Sequence, residues 1–156
     1  MEYKTTYDVR EYGAKGDSTS LDNESINKAI DAAAAAGGGT VYFPAGKYFS
    51  FSIHLKNNIC LYLDQGATIL AADPSTNKGG YDPAEPNESD KFQDFGHSHW
   101  QNSLIWGIGL QNISILGPGT INGRGLTTEG CYRRAFFMNE GSACTRYLCP
   151  FAHQYK

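Results

Sequence analysis

Tyr7-Asp8-Val9-Arg10-Glu11-Tyr12-Gly13-Ala14-Lys15-Gly16-Asp17 opens the part of the chain that decides its fold. Gly37-Gly38-Gly39-Thr40-Val41-Tyr42-Phe43-Pro44-Ala45-Gly46-Lys47-Tyr48 closes it. Within that span a strand, a glycine-bearing turn, a helix and a return strand with a tight turn follow one another. Asn23 to Ala36 reads as the helix, because Ile26, Ala29, Ile30 and Ala33 stand at i, i+3, i+4 and i+7 and make one apolar stripe. Asp22 or Asn23 is placed to cap its first turn, with Glu24 near the positive end of the dipole. Gly37 to Gly39 end it, since glycine accepts the left-handed geometry of a helix C-terminus. A helix with small alanines on one face can lie flat across the end of a stack of sheets.

Downstream the period changes from helical to two. Short runs rich in β-branched and aromatic residues occupy Thr40 to Phe43, Lys47 to Ile53, Ile59 to Leu63, Thr68 to Leu70, Leu104 to Ile108, Ile113 to Leu116 and Thr120 to Asn122. Pro-Ala-Gly, Asn-Asn, Gln-Gly, Gln-Asn and Gly-Pro-Gly turns separate them. Two stretches share one form: Asn58-Ile59-Cys60-Leu61 leads to Gly66-Ala67-Thr68-Ile69, and Asn112-Ile113-Ser114-Ile115 leads to Gly117-Pro118-Gly119-Thr120-Ile121. Asn, strand, glycine corner, strand is one coil of a solenoid. Asparagine suits the corner because it tolerates left-handed backbone angles and can stack in ladders along the axis. The expected fold is therefore all-β, a right-handed parallel β-helix with an N-terminal capping α-helix. A β-sandwich also has short strands at regular spacing, but coil-like self-similarity after a capping helix favours the solenoid.

The opening block, the Gly37 to Tyr48 block and Gly117-Pro118-Gly119-Thr120-Ile121-Asn122-Gly123-Arg124-Gly125 together resemble the polygalacturonase family of pectin hydrolases, glycoside hydrolase family 28, over Tyr7 to about Leu126. Lyases and phage tail proteins share the first block. The resemblance implies hydrolysis of α-1,4-linked galacturonate by an inverting mechanism, with one carboxylic acid on the leaving oxygen and carboxylates on the other face activating water. It implies a pectin or oligogalacturonate partner. The family draws its catalytic groups from Asn-Thr-Asp and Asp-Asp motifs on later coils, with Gly-His-Gly and Arg-Ile-Lys. None of the four occurs in this chain; Gly96-His97-Ser98 departs from Gly-His-Gly, and it precedes the Gly117 segment, where the family's histidine follows it. No catalytic residue is carried over. The resemblance thus implies a truncated β-helix, with the cap and first two or three coils in residues 1–126 and a divergent Cys-rich tail in residues 127–156. It would be inactive alone.

Asp73 to Gln101 is a long loop rich in Pro, Gly, Asn and Asp, ending in Phe95-Gly96-His97-Ser98-His99-Trp100. Loops of that length are commonly functional or disordered. His97, His99 and Trp100 are the candidate substrate-binding residues: an indole can stack on a sugar face, and an imidazole can hydrogen-bond a uronate. The bland alternative makes Trp100 an anchor of the loop and leaves the histidines in solvent. Asp73, Asp82, Glu85, Glu88, Asp90 and Asp94 read as a solvated acidic loop, because catalytic pairs need rigid elements. Asp8 and Asp17 read as turn-fixing residues.

No metal or other cofactor is expected. His-x-His lacks a third ligand, and Cys131, Cys144, Cys149 and His153 lack the short knuckles of a structural zinc site. Cys60 reads as a small buried hydrophobe. The glycines of residues 37–46 follow a helix instead of preceding one, so a phosphate loop is excluded. With a net charge of −3, nucleic acid is not an expected partner. No apolar run reaches the roughly 20 residues a membrane span needs. Met1-Glu2-Tyr3-Lys4 has no leader pattern, which leaves location open. Two other readings stand beside the hydrolase. One is a carbohydrate-binding module using the Asp73 to Trp100 loop and Arg124. The other is a self-associating module, since an open solenoid end exposes strand edges and an apolar stack.

Overall fold

A computed structural model describes residues 5–86 and 101–126, together with the backbone of residues 137–140. His97, His99 and Trp100 lie outside the described residues, as do Cys131, Cys144, Cys149 and His153.

The described residues wind into a right-handed parallel β-helix with three sheets. The first coil contributes β1 (Thr6–Asp8) and β2 (Asp17–Leu21). Then come α1 (Asn23–Ala35) and a second coil of β3 (Gly39–Phe43), β4 (Gly46–Ser50) and β5 (Ile53–His54). The third coil holds β6 (Ile59–Leu63), β7 (Ala67–Ala71) and β8 (Ile105–Ile108), with the long loop inserted between the last two. The fourth holds β9 (Ser114–Leu116), β10 (Thr120–Asn122) and β11 (Phe137–Glu140). The sheets run β1-β3-β6-β9, β2-β4-β7-β10 and β5-β8-β11, and all their pairings are parallel. Two sheets are thus four strands deep.

Period-two alternation sends every second side chain inward. Tyr7, Val41, Leu61 and Ile115 share one register through the first sheet, and Tyr48, Ile69 and Ile121 share one through the second. Val41, Leu61, Tyr48 and Ile69 are fully buried. Phe43 meets Tyr48 edge-on, with ring centroids 5.4 Å apart.

The helix buries Ile26, Ala29, Ile30 and Ala33, the stripe read from the sequence. It lies against β1, β3 and β5 and covers the first end of the core. Its cap differs from expectation. Asp22 holds the N-cap position but makes no capping bond with its side chain. Its buried carboxylate instead accepts from the backbone N–H groups of Lys15 and Gly16, at 2.8 and 3.0 Å, and so folds the Gly13–Gly16 corner. Asp8 and Asp17 fix turns as expected: Asp8 accepts from Arg10 N–H, and Asp17 from the N–H groups of Thr19 and Ser20.

The asparagine corners stack. Asn58 and Asn112 both have positive φ. Asn112 Nδ2 donates to Asn58 Oδ1 at 2.9 Å, and Asn58 Nδ2 donates to the Gly37 carbonyl. Glycine at 117 and 125 answers a different need. A Cβ at Gly117 would sit 2.0 Å from the Leu63 carbonyl oxygen, and one at Gly125 2.0 Å from that of Ala71. Close approach between successive coils requires glycine at both.

Two local readings are corrected. Lys47 to Ile53 is not one strand but β4 and β5 around a corner at Phe51-Ser52, where Ser50 Oγ donates to the Phe51 carbonyl. Cys60 is half-buried on the outer face, because Ile59, Leu61 and Leu63 take the inward positions of β6.

Candidate functional site

The third sheet carries the most concentrated polar chemistry among the described residues. In β5 and β8, Ile53 and Ile105 point inward and are fully buried, so their successors His54 and Trp106 point outward, paired in register. The rings meet nearly at right angles, with centroids 5.2 Å apart. Both turn a ring nitrogen to the same oxygen of Asp82, at the start of the long loop. His54 Nε2 lies 2.5 Å from Asp82 Oδ2, and Trp106 Nε1 donates to it at 2.8 Å. The His54 side chain is 44% exposed and that of Asp82 32% exposed.

The backbone under this cluster is held from both sides. Ile53 and Leu55 N–H donate to the Leu104 and Trp106 carbonyls. On the other edge the Asn27 side chain, from α1, donates to the Ser52 carbonyl at 3.1 Å and accepts from His54 N–H at 2.8 Å. A residue of a neighbouring parallel strand would make that same pair of bonds. One helix side chain thus completes a ladder that, among the described residues, has no strand on that side. Ser52 Oγ accepts from Asp82 N–H and donates to the Ser103 carbonyl, tying the loop's start to its return. Gln101 N–H donates to Glu85 Oε2 and closes the stem.

Asp82 is therefore not a solvated loop acid, as the sequence suggested. Two ring N–H groups and its own backbone N–H hold it against the sheet. His54 and Trp106 were missed for a geometric reason. Asn58 follows His54 by four residues, whereas Asn112 follows Trp106 by six, so aligning the two coils on their asparagines does not superpose them. Arg124 is exposed on the far coil, where its backbone N–H donates to Asn122 Oδ1. Among the described residues no group of three or more His, Cys, Asp or Glu is placed to hold a metal ion.

The family model for rhamnogalacturonase A/epimerase, pectate lyase-like, matches residues 6–115. The chain belongs to that family. Its curated relatives include mannuronan C5-epimerases, an exo-poly-α-D-galacturonosidase and an alginate lyase. The exo-poly-α-D-galacturonosidase of Dickeya chrysanthemi is 36% identical over 121 residues, 75% of this chain and 19% of that protein. The mannuronan C5-epimerase AlgE4 of Azotobacter vinelandii is 48% identical over 66 residues, 42% of this chain and 12% of that protein. The chain thus spans less than a fifth of either relative. Among solved structures, the hyperthermoactive exopolygalacturonase of Thermotoga maritima aligns with a TM-score of 0.63 at 27% identity, covering 78% of this chain and 25% of that one. The family 28 exopolygalacturonase of Yersinia enterocolitica aligns with a TM-score of 0.59 at 30% identity, over 75% of this chain and 20% of that one.

Proposed function

We propose that the chain is the opening portion of a polygalacturonase-like glycosidase acting on α-1,4-linked galacturonan, and that residues 1–156 by themselves bind the polymer without cleaving it. One observation carries the choice of substrate. The epimerase match covers 66 residues, whereas the galacturonosidase match runs over 121 and so reaches beyond the opening block that β-helix proteins of different activities share. Binding without turnover is supported by the sequence, which holds none of the family's carboxylate motifs. The two-carboxylate inverting mechanism belongs, in this reading, to coils not contained in this chain. His97, His99 and Trp100 remain its proposed substrate contacts.

The test is a matched pair of assays. The chain is passed over immobilised polygalacturonate and polymannuronate, and is incubated with each polymer in solution while reducing ends are followed. Retention on polygalacturonate with no new reducing ends is expected. Retention on neither polymer would overturn the reading, and release of reducing ends would place the chemistry within these coils.

A second reading, self-association, is favoured by one feature. Strands β9 and β10 form the outer edges of their sheets among the described residues, and Leu116 on β9 is 51% exposed. A second copy pairing there would cover both the edge and the apolar side chain.

A further inference from the structure

We propose that His54, Asp82 and Trp106 form a subsite for the hydroxyl edge of a pyranose ring, on the outer face of the third sheet at the root of the long loop. The inference rests on the saccharide reading above and assigns part of that binding to these residues. Its basis is which atoms remain free. Asp82 Oδ2 already takes both ring N–H groups, so Oδ1 is the oxygen left for a ligand. A carboxylate can only accept, so His54 carries a hydrogen on Nε2, and the uncharged form of the ring offers a lone pair at Nδ1. Among the described residues neither Oδ1 nor Nδ1 has a partner. The cluster therefore presents two acceptors beside an indole and no unpaired ring donor.

That pattern selects a ligand with neighbouring donors. Adjacent sugar hydroxyls supply them, and the C–H groups of a pyranose face can pack on an aromatic ring face. A uronate carboxylate supplies none and would meet Asp82 as a like charge. Two protein ligands are too few for a structural or catalytic metal site. The geometry is also fixed in advance. Asn27, β8 and Ser52 hold the backbone on either side, so little ordering is left to be done when a ligand arrives.

The first test follows the His54 imidazole signals in a proton NMR titration with trigalacturonate, assigned with His54→Gln. The same titration is repeated with the carboxyl-reduced trisaccharide and with acetate. Both trisaccharides are expected to shift the His54 signals and acetate to leave them in place. The second test is Asp82→Asn. Its amide oxygen can keep the two internal bonds only by turning its NH2 group outward, which replaces the exposed acceptor with a donor. The fold, read by circular dichroism, is expected to survive, with trigalacturonate affinity falling about tenfold or more. Binding that is undiminished in Asp82→Asn would overturn the subsite while leaving the saccharide reading intact. Absence of binding by the unaltered chain would overturn both. Should Asp82→Asn fail to fold, the wild-type titration decides: His54 signals unmoved by bound trisaccharide would refute the proposal.

Discussion

At the scale of single residues, most of the polar side chains that matter here work on backbone, not on one another. Asp17 lies far below the ordinary carboxylate range because the Ser20 and Thr19 N–H groups hold its ionised form. Asp64 is lowered first by the Tyr42 hydroxyl and then by Gln65 N–H; the same bond raises Tyr42. The two directions have opposite consequences for stability. The carboxyls are depressed on folding, so their contribution is present above the unfolded value near 4 and is lost as pH falls through the folded values. Tyr42 is raised, so its contribution is full below about pH 10 and is lost as pH climbs through the folded value. Tyr42→Phe is therefore expected to lower the thermal midpoint at neutral pH and to converge with wild type in acid, as seen in melting curves across pH. A midpoint difference that stays constant down to pH 2 would argue that the hydroxyl does not act through its bond to the ionised Asp64 carboxylate. Asn27 acts at the same scale. Asn27→Ala leaves the Ser52 carbonyl and His54 N–H without their partner, and a loss of about 1–3 kcal/mol in urea unfolding is expected. An unchanged urea midpoint would mean that solvent replaces the side chain there.

At the scale of elements, what could be read from the sequence was whatever repeats or is strongly periodic. The α1 stripe matches its buried face residue for residue, and the Asn58 and Asn112 corners stack as their shared motif required. Strand β2 escaped notice because Asp17-Ser18-Thr19-Ser20-Leu21 buries no side chain; it is defined by backbone pairing to β4. The β4–β5 corner escaped because Phe51 and Ser52 are both buried and continue the look of a strand. The His54–Asp82–Trp106 cluster was illegible for another reason. Its members come from two coils and an insertion, with corner lengths that differ by two residues. The glycine segment of the last coil was legible as a motif, but its purpose was not. Gly117→Ala and Gly125→Ala must each push one coil away from the next. Each is expected to lower the thermal midpoint, by an amount corresponding to about 1–3 kcal/mol. A control substitution at Gly37 meets nothing within 4 Å, so only its left-handed φ is strained, and it is expected to cost less. Equal losses at all three positions would contradict the close-packing explanation.

At the scale of the molecule, three sheets share one apolar interior that α1 closes at the first coil. At the other end Ile113, Ile115 and Ile121 are only partly buried, and Leu116 is exposed. Strand edges without a partner among the described residues, beside exposed aliphatic side chains, favour association. Light scattering is expected to show mass rising with concentration, and Leu116→Lys to suppress it. A monomer of constant mass would mean that this end is covered within one chain. The measurement that bears most directly on the whole account is calorimetric titration of the chain with galacturonan and mannuronan oligomers of equal length. The account predicts heat of binding with the galacturonan oligomer and weaker or no binding with the mannuronan. Preference for mannuronan, or no binding to either, would contradict it.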